Sequence, residues 1–492
     1  MKKYYLFSFF VLCSFGMAQA QDYDLSPEGV LTISASAGQT VIPYNYLGSA
    51  TFDTIRNNIR SIVINEGITG IGKNAFTSNL ITSISIPASV TEIENDALPY
   101  CRGLTSISVD ANNMVYSSEE DALFDKEKTE LIAFPAGKTG SYTTPESVKI
   151  IGNNAFQNSR LTSIDISASV TTIGKWVFYG NYMTSINLPA SVESIGQYSF
   201  LFCYDLTSLT VDADNQVYSS KDDVLFNKDQ TILYTYAAGK QGSYTIPESV
   251  NMINECAFWC SFQLTSVTIP HSVTDIGDHA FYYCANLTSV IIPSSVKTIA
   301  NNTFSECTRL TSVVIPASVT YIDANAFSLC NNLSEIFNLN PEPQEIFANT
   351  FASSIFAACT LRVPSASLDE YMIADVWNEF TNVLPFDDDI TVNRVSLFML
   401  SNTTAALTAT ISGNISNPLF FQWKTENTNI AGIDHTGTVT ALSPGSTVIT
   451  TSFAGFERAC KVTVVAPGKS SIDGSIGNPG TENMRMNLYM KE

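Results

Sequence analysis

Between Leu264 and Pro270 the chain alternates, with Val267 and Ile269 apolar and Ser266 and Thr268 small and polar. A period of two is that of a strand with one buried face, and Pro270, which has no N–H to donate, ends it. Next comes Ser272-Val273-Thr274-Asp275-Ile276-Gly277, followed by Ala280-Phe281. The string then repeats. Ala257-Phe258, Ala280-Phe281, Thr303-Phe304 and Ala326-Phe327 recur at steps of 23. Upstream the same slot holds Phe76, Leu98, Phe156, Phe178 and Phe200, at steps of 22 apart from two steps of 58 that begin at Leu98 and Phe200.

The long steps are copies of each other. Val109 to Phe156 aligns without a gap with Val211 to Phe258 at an offset of 102, matching Val115-Tyr116-Ser117-Ser118 with Val217-Tyr218-Ser219-Ser220. Each is expected to hold an extra turn and a hairpin, around Val115 to Phe134 and Val217 to Tyr236. A unit of 22 or 23 residues with one short strand cannot bury its own apolar face, so neighbouring units must stack into a continuous core. The pattern therefore predicts a leucine-rich-repeat solenoid of the α/β type, with short parallel strands and an irregular convex side.

The Leu-Thr-Ser-Ile-x-Ile-Pro and Ile-Gly-x-x-Ala-Phe strings resemble those of the BspA-like leucine-rich-repeat surface proteins, over about Asp22 to Phe386. That resemblance implies a surface protein whose repeats bind ligands. Residues 21–60 read as an N-terminal cap with a strand at Gly29 to Ser34, and 61–340 as the repeats, with hairpin insertions near 110–140 and 212–242. Residues 341–386 read as a C-terminal cap. There Thr360 to Pro364 gives a further strand, and Ser367 with Glu370 makes a capping box for a helix carrying Tyr371 and Trp377. Asp387-Asp388-Asp389 reads as a solvated hinge.

From 390 to 466 the period changes. Ala405 to Ile411, Phe421 to Trp423, Thr438 to Ala441, Val448 to Thr450 and Lys461 to Val464 are short alternating strands between turns such as Ser443-Pro444-Gly445. They predict an all-β sandwich. The run Gly437 to Gly445 with Trp423 upstream resembles bacterial Ig-like modules of intimin- and invasin-type surface proteins. Residues 467–492, rich in Gly, Ser, Pro and Asn before Met484, Met486, Leu488 and Met490, read as a tail or as the first strand of a further module.

Charge and composition narrow the function. Net charge is −21, with 25 Lys and Arg against 46 Asp and Glu, which argues against nucleic acid, whose phosphates require a basic face. Lys2 and Lys3, the apolar run Tyr4 to Phe15 and Ala18-Gln19-Ala20 form a secretory leader over 1–20. No later segment reaches the ~18 apolar residues of a membrane span. The chain is expected to be exported, to the cell surface or beyond.

No nucleophile, base or metal cluster stands out, so the chain is not expected to be an enzyme and no cofactor or metal is implied. His271, His279 and His435 read as surface residues. Asp212, Asp214 and Asn215 lack the Gly and distal Glu of a calcium loop. Cys101, Cys203, Cys284, Cys307 and Cys330 all lie three residues past the repeat phenylalanine or its substitute, so they read as buried free thiols. Cys256 and Cys260 have no second pair to complete a zinc site.

Two faces remain for binding. The concave strands present Ser83, Ser106, Ser163, Ser185, Ser208, Ser266, Ser289 and Ser312, a hydroxyl ladder that solubilises the sheet. Aromatic residues gather instead after the repeat phenylalanine: Tyr179, Tyr182, Phe202, Tyr204, Trp259, Phe262, Tyr282 and Tyr283. Stacking would align them into a stripe able to take sugar rings or an apolar ligand, unless they pack between turns. The expected role is adhesion to an extracellular protein or glycan. The alternative is a structural spacer within a larger surface protein.

Overall fold

The computed structural model describes residues 22–466, except 37, 79, 95, 99–100, 387–389, 412–420, 435 and 454–455. The leader, the acidic hinge, His435 and the tail thus lie outside the described residues. The chain divides into two compact units, Met1–Phe386 and Asp387–Glu492.

The first unit is a leucine-rich-repeat solenoid of about 14 turns among the described residues. Each turn lays down one parallel strand, as in Ser83–Ile86, Ser185–Leu188 and Ser312–Ile315. Alternation fixes the register. Ile84 and Ile86 turn inward and are buried, while Ser83 pairs with Ser106 and Ser185 with Ser208, so like residues stack on like. Threonines one step earlier link the turns, Thr207 Oγ1 donating to the Thr184 carbonyl at 3.2 Å and Thr311 Oγ1 to that of Thr288 at 3.0 Å.

The Ile-Gly string makes a second ladder of two-residue strands, such as Ile150–Ile151, Thr172–Ile173 and Ser194–Ile195. Its glycines let turns approach closely: a Cβ on Gly196 would lie 2.4 Å from the amide nitrogen of Lys175.

The repeat phenylalanines stack face to face through the core. Phe258, Phe281, Phe304 and Phe327 follow one another at 4.6, 5.2 and 5.5 Å, with ring planes within 13°. Three members escaped the sequence pattern. Phe134 lies 5.2 Å from Phe156, Tyr236 stacks on Phe258 at 5.0 Å, and Phe351 stacks on Phe327 at 5.3 Å. Phe134 and Tyr236 are the slot residues of the extra turns within the two long steps.

In each long step a hairpin leaves the first strand line, Tyr116–Glu119 with Ala122–Asp125, and Tyr218–Lys221 with Val224–Asn227. It returns through Glu130–Ala133 or Ile232–Tyr236, which joins the second ladder in parallel. Both ends are closed. Asp22–Leu25 folds antiparallel onto Val30–Ser34. At the other end Asn382–Phe386 adds a strand beyond Thr360–Pro364.

The expected capping box does not form. Ser367 spends its hydroxyl on the Pro341 carbonyl at 2.6 Å, and the helix is one turn, Leu368–Tyr371. What closes the core is Tyr371 and Trp377, both fully buried. The Tyr371 hydroxyl donates to the Asn340 carbonyl at 2.9 Å and Trp377 Nε1 to that of Gln344 at 2.8 Å.

Among its described residues the second unit is all-β. Ser396–Leu400, Phe456–Val465, Gly445–Phe453 and Gln422–Thr425 form one sheet, and Thr404–Ala406, Thr438–Ala441 and Ala431–Ile433 another. Their shared core includes Leu397, Leu407, Val439, Ile449 and Val462. The strand expected from Ala405 to Ile411 is broken in two, Ala409–Ile411 pairing separately with Ile390–Val392. No helix among the described residues is long and apolar enough to cross a membrane.

Candidate functional site: an aromatic stripe

The segment around each repeat phenylalanine has its own backbone rule. Around Phe156, Phe178, Phe258, Phe281 and Phe304 the N–H groups two before, at and two after the slot donate to carbonyls of the next turn. Trp176, Phe178 and Gly180 bond the carbonyls of Gln197, Ser199 and Leu201, and His279, Phe281 and Tyr283 those of Asn301, Thr303 and Ser305. In those turns, and around Phe200 and Phe327, the positions two before and two after the slot have positive φ. Several turns place there the residues that adopt this left-handed conformation most readily: Asn74, Asp96, Asn154, Asn158, Asn302, Asn325 and Gly180. In the middle of the solenoid they are instead Trp176 at 61°, Tyr198 at 64°, Phe202 at 59°, His279 at 57° and Tyr283 at 58°. Cys256, Cys260, Glu306 and Leu329 hold the remaining equivalent positions. For a bulky side chain this backbone is a genuine outlier.

These rings touch. Trp176 lies 5.2 Å from Tyr198 and 5.7 Å from Tyr179. Tyr179 meets Phe202 at 4.8 Å, and Phe202 meets Tyr204 at 5.7 Å and Trp259 at 5.9 Å. Tyr204 reaches Phe262 at 5.2 Å, Phe262 reaches Tyr283 at 4.9 Å, and Trp259 stacks on Tyr282 at 4.3 Å. The result is one unbroken stripe across four turns, half-buried along its length, with Trp176, Tyr204 and Tyr283 more than a third exposed.

Seven of the eight aromatic residues expected from sequence are in it. Tyr182 is exposed and joins no ring contact among the described residues. Trp176, Tyr198 and His279 were missed, because the sequence pattern was followed only after the phenylalanine. The position two before it carried the missing signal. Glu255 borders the stripe, accepting from the Tyr198 hydroxyl at 2.7 Å. That bond pushes the phenol up to about 12, with burial and the Glu255 charge adding to it.

The BspA type leucine-rich repeat region matches in six copies, over residues 36–142, 132–234 and 230–361. The chain belongs to the BspA-type leucine-rich-repeat family. The chain is also similar to solved structures of three bacterial proteins. A leucine-rich cell surface protein of Faecalibacterium prausnitzii is 23% identical, with a TM-score of 0.47, over 75% of this chain and 93% of that one. A leucine-rich repeat protein of Eubacterium ventriosum is 23% identical, with a TM-score of 0.45, over 75% and 83%. The pneumococcal vaccine antigen PcpA is 18% identical, with a TM-score of 0.48, over 75% and 99%. No curated protein matches.

The concave face of this BspA-type solenoid is less uniform than its serines suggest. Ser289 and Ser312 are 6% and 3% exposed, and Val314 is fully buried. For Ser312 and Val314 the cause is bulk in the neighbouring strand. Ser312 pairs with Glu335, whose carboxylate Arg362 holds at 2.7 Å, and Val314 pairs with Phe337. The open hydroxyl ladder is therefore confined to earlier turns such as those of Ser185 and Ser208.

The repeat thiols link the turns. Cys203, Cys284, Cys307 and Cys330 donate to the carbonyls of Phe178, Phe258, Phe281 and Phe304 at 3.0 to 3.3 Å, and Cys101 to that of Phe76. Asn181 fills the same slot and bonds the Phe156 carbonyl at 2.7 Å. All nine described cysteines are free and buried. Cys256 and Cys260 flank Phe258, and among the described residues no three His, Cys, Asp or Glu side chains gather as a metal site.

Asn215 is structural. Fully buried at the base of the second hairpin, it donates to the Pro189 and Val192 carbonyls and accepts from the Val217 and Tyr218 amides. Asn215→Ala should cost about 2–3 kcal/mol, because buried amides and carbonyls lose their partners. Urea unfolding checks this, and a loss below ~0.5 kcal/mol would contradict it.

Proposed function

We propose that this is an exported, non-enzymatic surface protein that uses its aromatic stripe to bind an extracellular protein or glycan. In this reading the C-terminal all-β unit is a bacterial Ig-like module, acting as spacer or second binding unit. One observation carries the proposal: Trp176, Tyr198, Phe202 and Tyr283 stand where the backbone is left-handed and where several other turns use Asn, Asp or Gly. A left-handed backbone costs roughly 1–2 kcal/mol for an ordinary side chain, and such strain collects at functional sites. The phenylalanine ladder already supplies the core, so folding alone gives no reason for rings at these positions. Rigid, amphipathic aromatic side chains are what binding surfaces concentrate.

Export rests on the leader over 1–20, and the absence of enzymatic function on the lack of a nucleophile or acid–base constellation in the sequence. The test is a screen of the mature protein against glycans and extracellular-matrix proteins. Saturable binding to one class is expected. Uniformly null results across both would overturn the proposal.

A further inference from the structure

Each long step opens a cleft between turns, where the inter-turn bonding of the phenylalanine segment pauses. The bonds run up to Gly180 and Leu201 and resume with Tyr236 and Ala257. The first cleft is about 40 Å³ and the second about 240 Å³. They differ in size and in whether an acid in the lining has a cationic partner. In the first, Glu94 and Asp96 both line the cleft, and Asp96 is paired with the chain's own Lys73 at 2.9 Å and accepts from Asn154. In the second, Tyr198 takes the place of Asp96 at the offset of 102, and the acid is Glu255, directly across from it.

Glu255 is the one charged residue lining that cleft, and among the described residues it has no cationic partner. The other walls include Tyr218, Tyr234, Tyr236 and Trp259. Aromatic rings attract cations through their electron-rich faces, and most strongly where water is displaced. Tyr236 already does so for Lys240, whose ammonium lies 5.6 Å from the ring centroid.

We propose that the cleft between Tyr198 and Glu255 binds one organic ammonium group, a lysine side chain presented by the macromolecule held on the stripe. This deepens the reading above and rests on it for the source of the lysine. An alkylammonium would give Glu255 the counter-charge that Lys73 gives Asp96, and its methylene stem would lie against the rings. A sugar hydroxyl would leave the carboxylate charge uncompensated.

The test uses small probes, so its outcome is separate from that of the macromolecular screen. The full chain is titrated calorimetrically with Nα-acetyl-lysine methylamide, its norleucine counterpart and a methyl glucoside. Binding of the lysine probe in the millimolar range is expected, with at least tenfold weaker binding of the other two. Glu255→Gln keeps an acceptor for Tyr198 and should weaken the lysine probe at least tenfold without moving the thermal unfolding midpoint. Lysine binding unchanged in Glu255→Gln, norleucine or glucoside binding as tight as lysine, or no lysine binding at all would each overturn the proposal.

Discussion

Raising the pH from 8 to about 10 should unfold the solenoid, even under reducing conditions that exclude disulfide exchange. Burial pushes the Cys101, Cys203 and Cys330 thiols up to about 12, and holds Cys284 and Cys307 well above the usual thiol range. In the unfolded chain a thiol titrates near ~8.5. Below that pH both states hold the proton and the contribution of these thiols to stability is whole. Above it the unfolded chain releases protons that the folded chain keeps. Stability then falls by about 1.4 kcal/mol per pH unit for each thiol, until the folded value is passed.

At pH 10 the loss is about 2 kcal/mol per thiol, and roughly 10 kcal/mol over the five repeat positions. That matches the whole stability of a typical domain, about 5–15 kcal/mol. Tyrosines add little before pH 10, since their ordinary value is about 10. Denaturant unfolding followed by circular dichroism at several pH values measures the slope. Cys256, Cys260 and Cys359 are pushed up to about 12 as well, so replacing Cys284, Cys307 and Cys330 together by Ala should flatten the slope by about three-eighths. A stability unchanged between pH 8 and 10 would show that the thiols are not buried as described.

The second large effect concerns the ring ladder. Phe281→Ala should cost about 3–5 kcal/mol, because its ring is fully buried between Phe258 at 4.6 Å and Phe304 at 5.2 Å. Neighbouring turns cannot close the gap, since their spacing is fixed by backbone bonds on either side. Ser185→Ala, on the open part of the concave face, should stay within roughly 0.5 kcal/mol. Equal losses from the two substitutions would mean that the repeat register is wrong.

How much of this was legible in the sequence depended on whether a feature repeats. The strand alternation, the 23-residue slot and the paired long steps are periodic, so each copy corroborated the others. Phe134, Tyr236 and Phe351 fill the same slot off that period and went unseen, although ring stacking treats them alike. The local capping signal at Ser367 failed because the Pro341 carbonyl competes for its hydroxyl. Ser312 carries the same letter as the exposed Ser185 but is covered by bulk in the neighbouring strand. Side-chain pattern alone was also blind to the left-handed positions, which are set by bonds to the next turn. Trp176 and Tyr198 consequently went unassigned.

The most direct test of the stripe as a binding surface replaces Trp176 and Tyr283 by Asn, the residue that equivalent positions carry at Asn154, Asn158, Asn302 and Asn325. Relief of the left-handed backbone, roughly 1–2 kcal/mol per site, should offset the lost ring contacts, about 0.5–1.5 kcal/mol each. Stability and binding of the double variant are measured side by side with the wild type, against the ligand found in the glycan and matrix screen. The expected result is a folded protein within about 1 kcal/mol of the wild type whose binding is at least tenfold weaker. Full binding, or a loss of several kcal/mol in stability, would show that the rings pack turns together and that the ligand binds elsewhere.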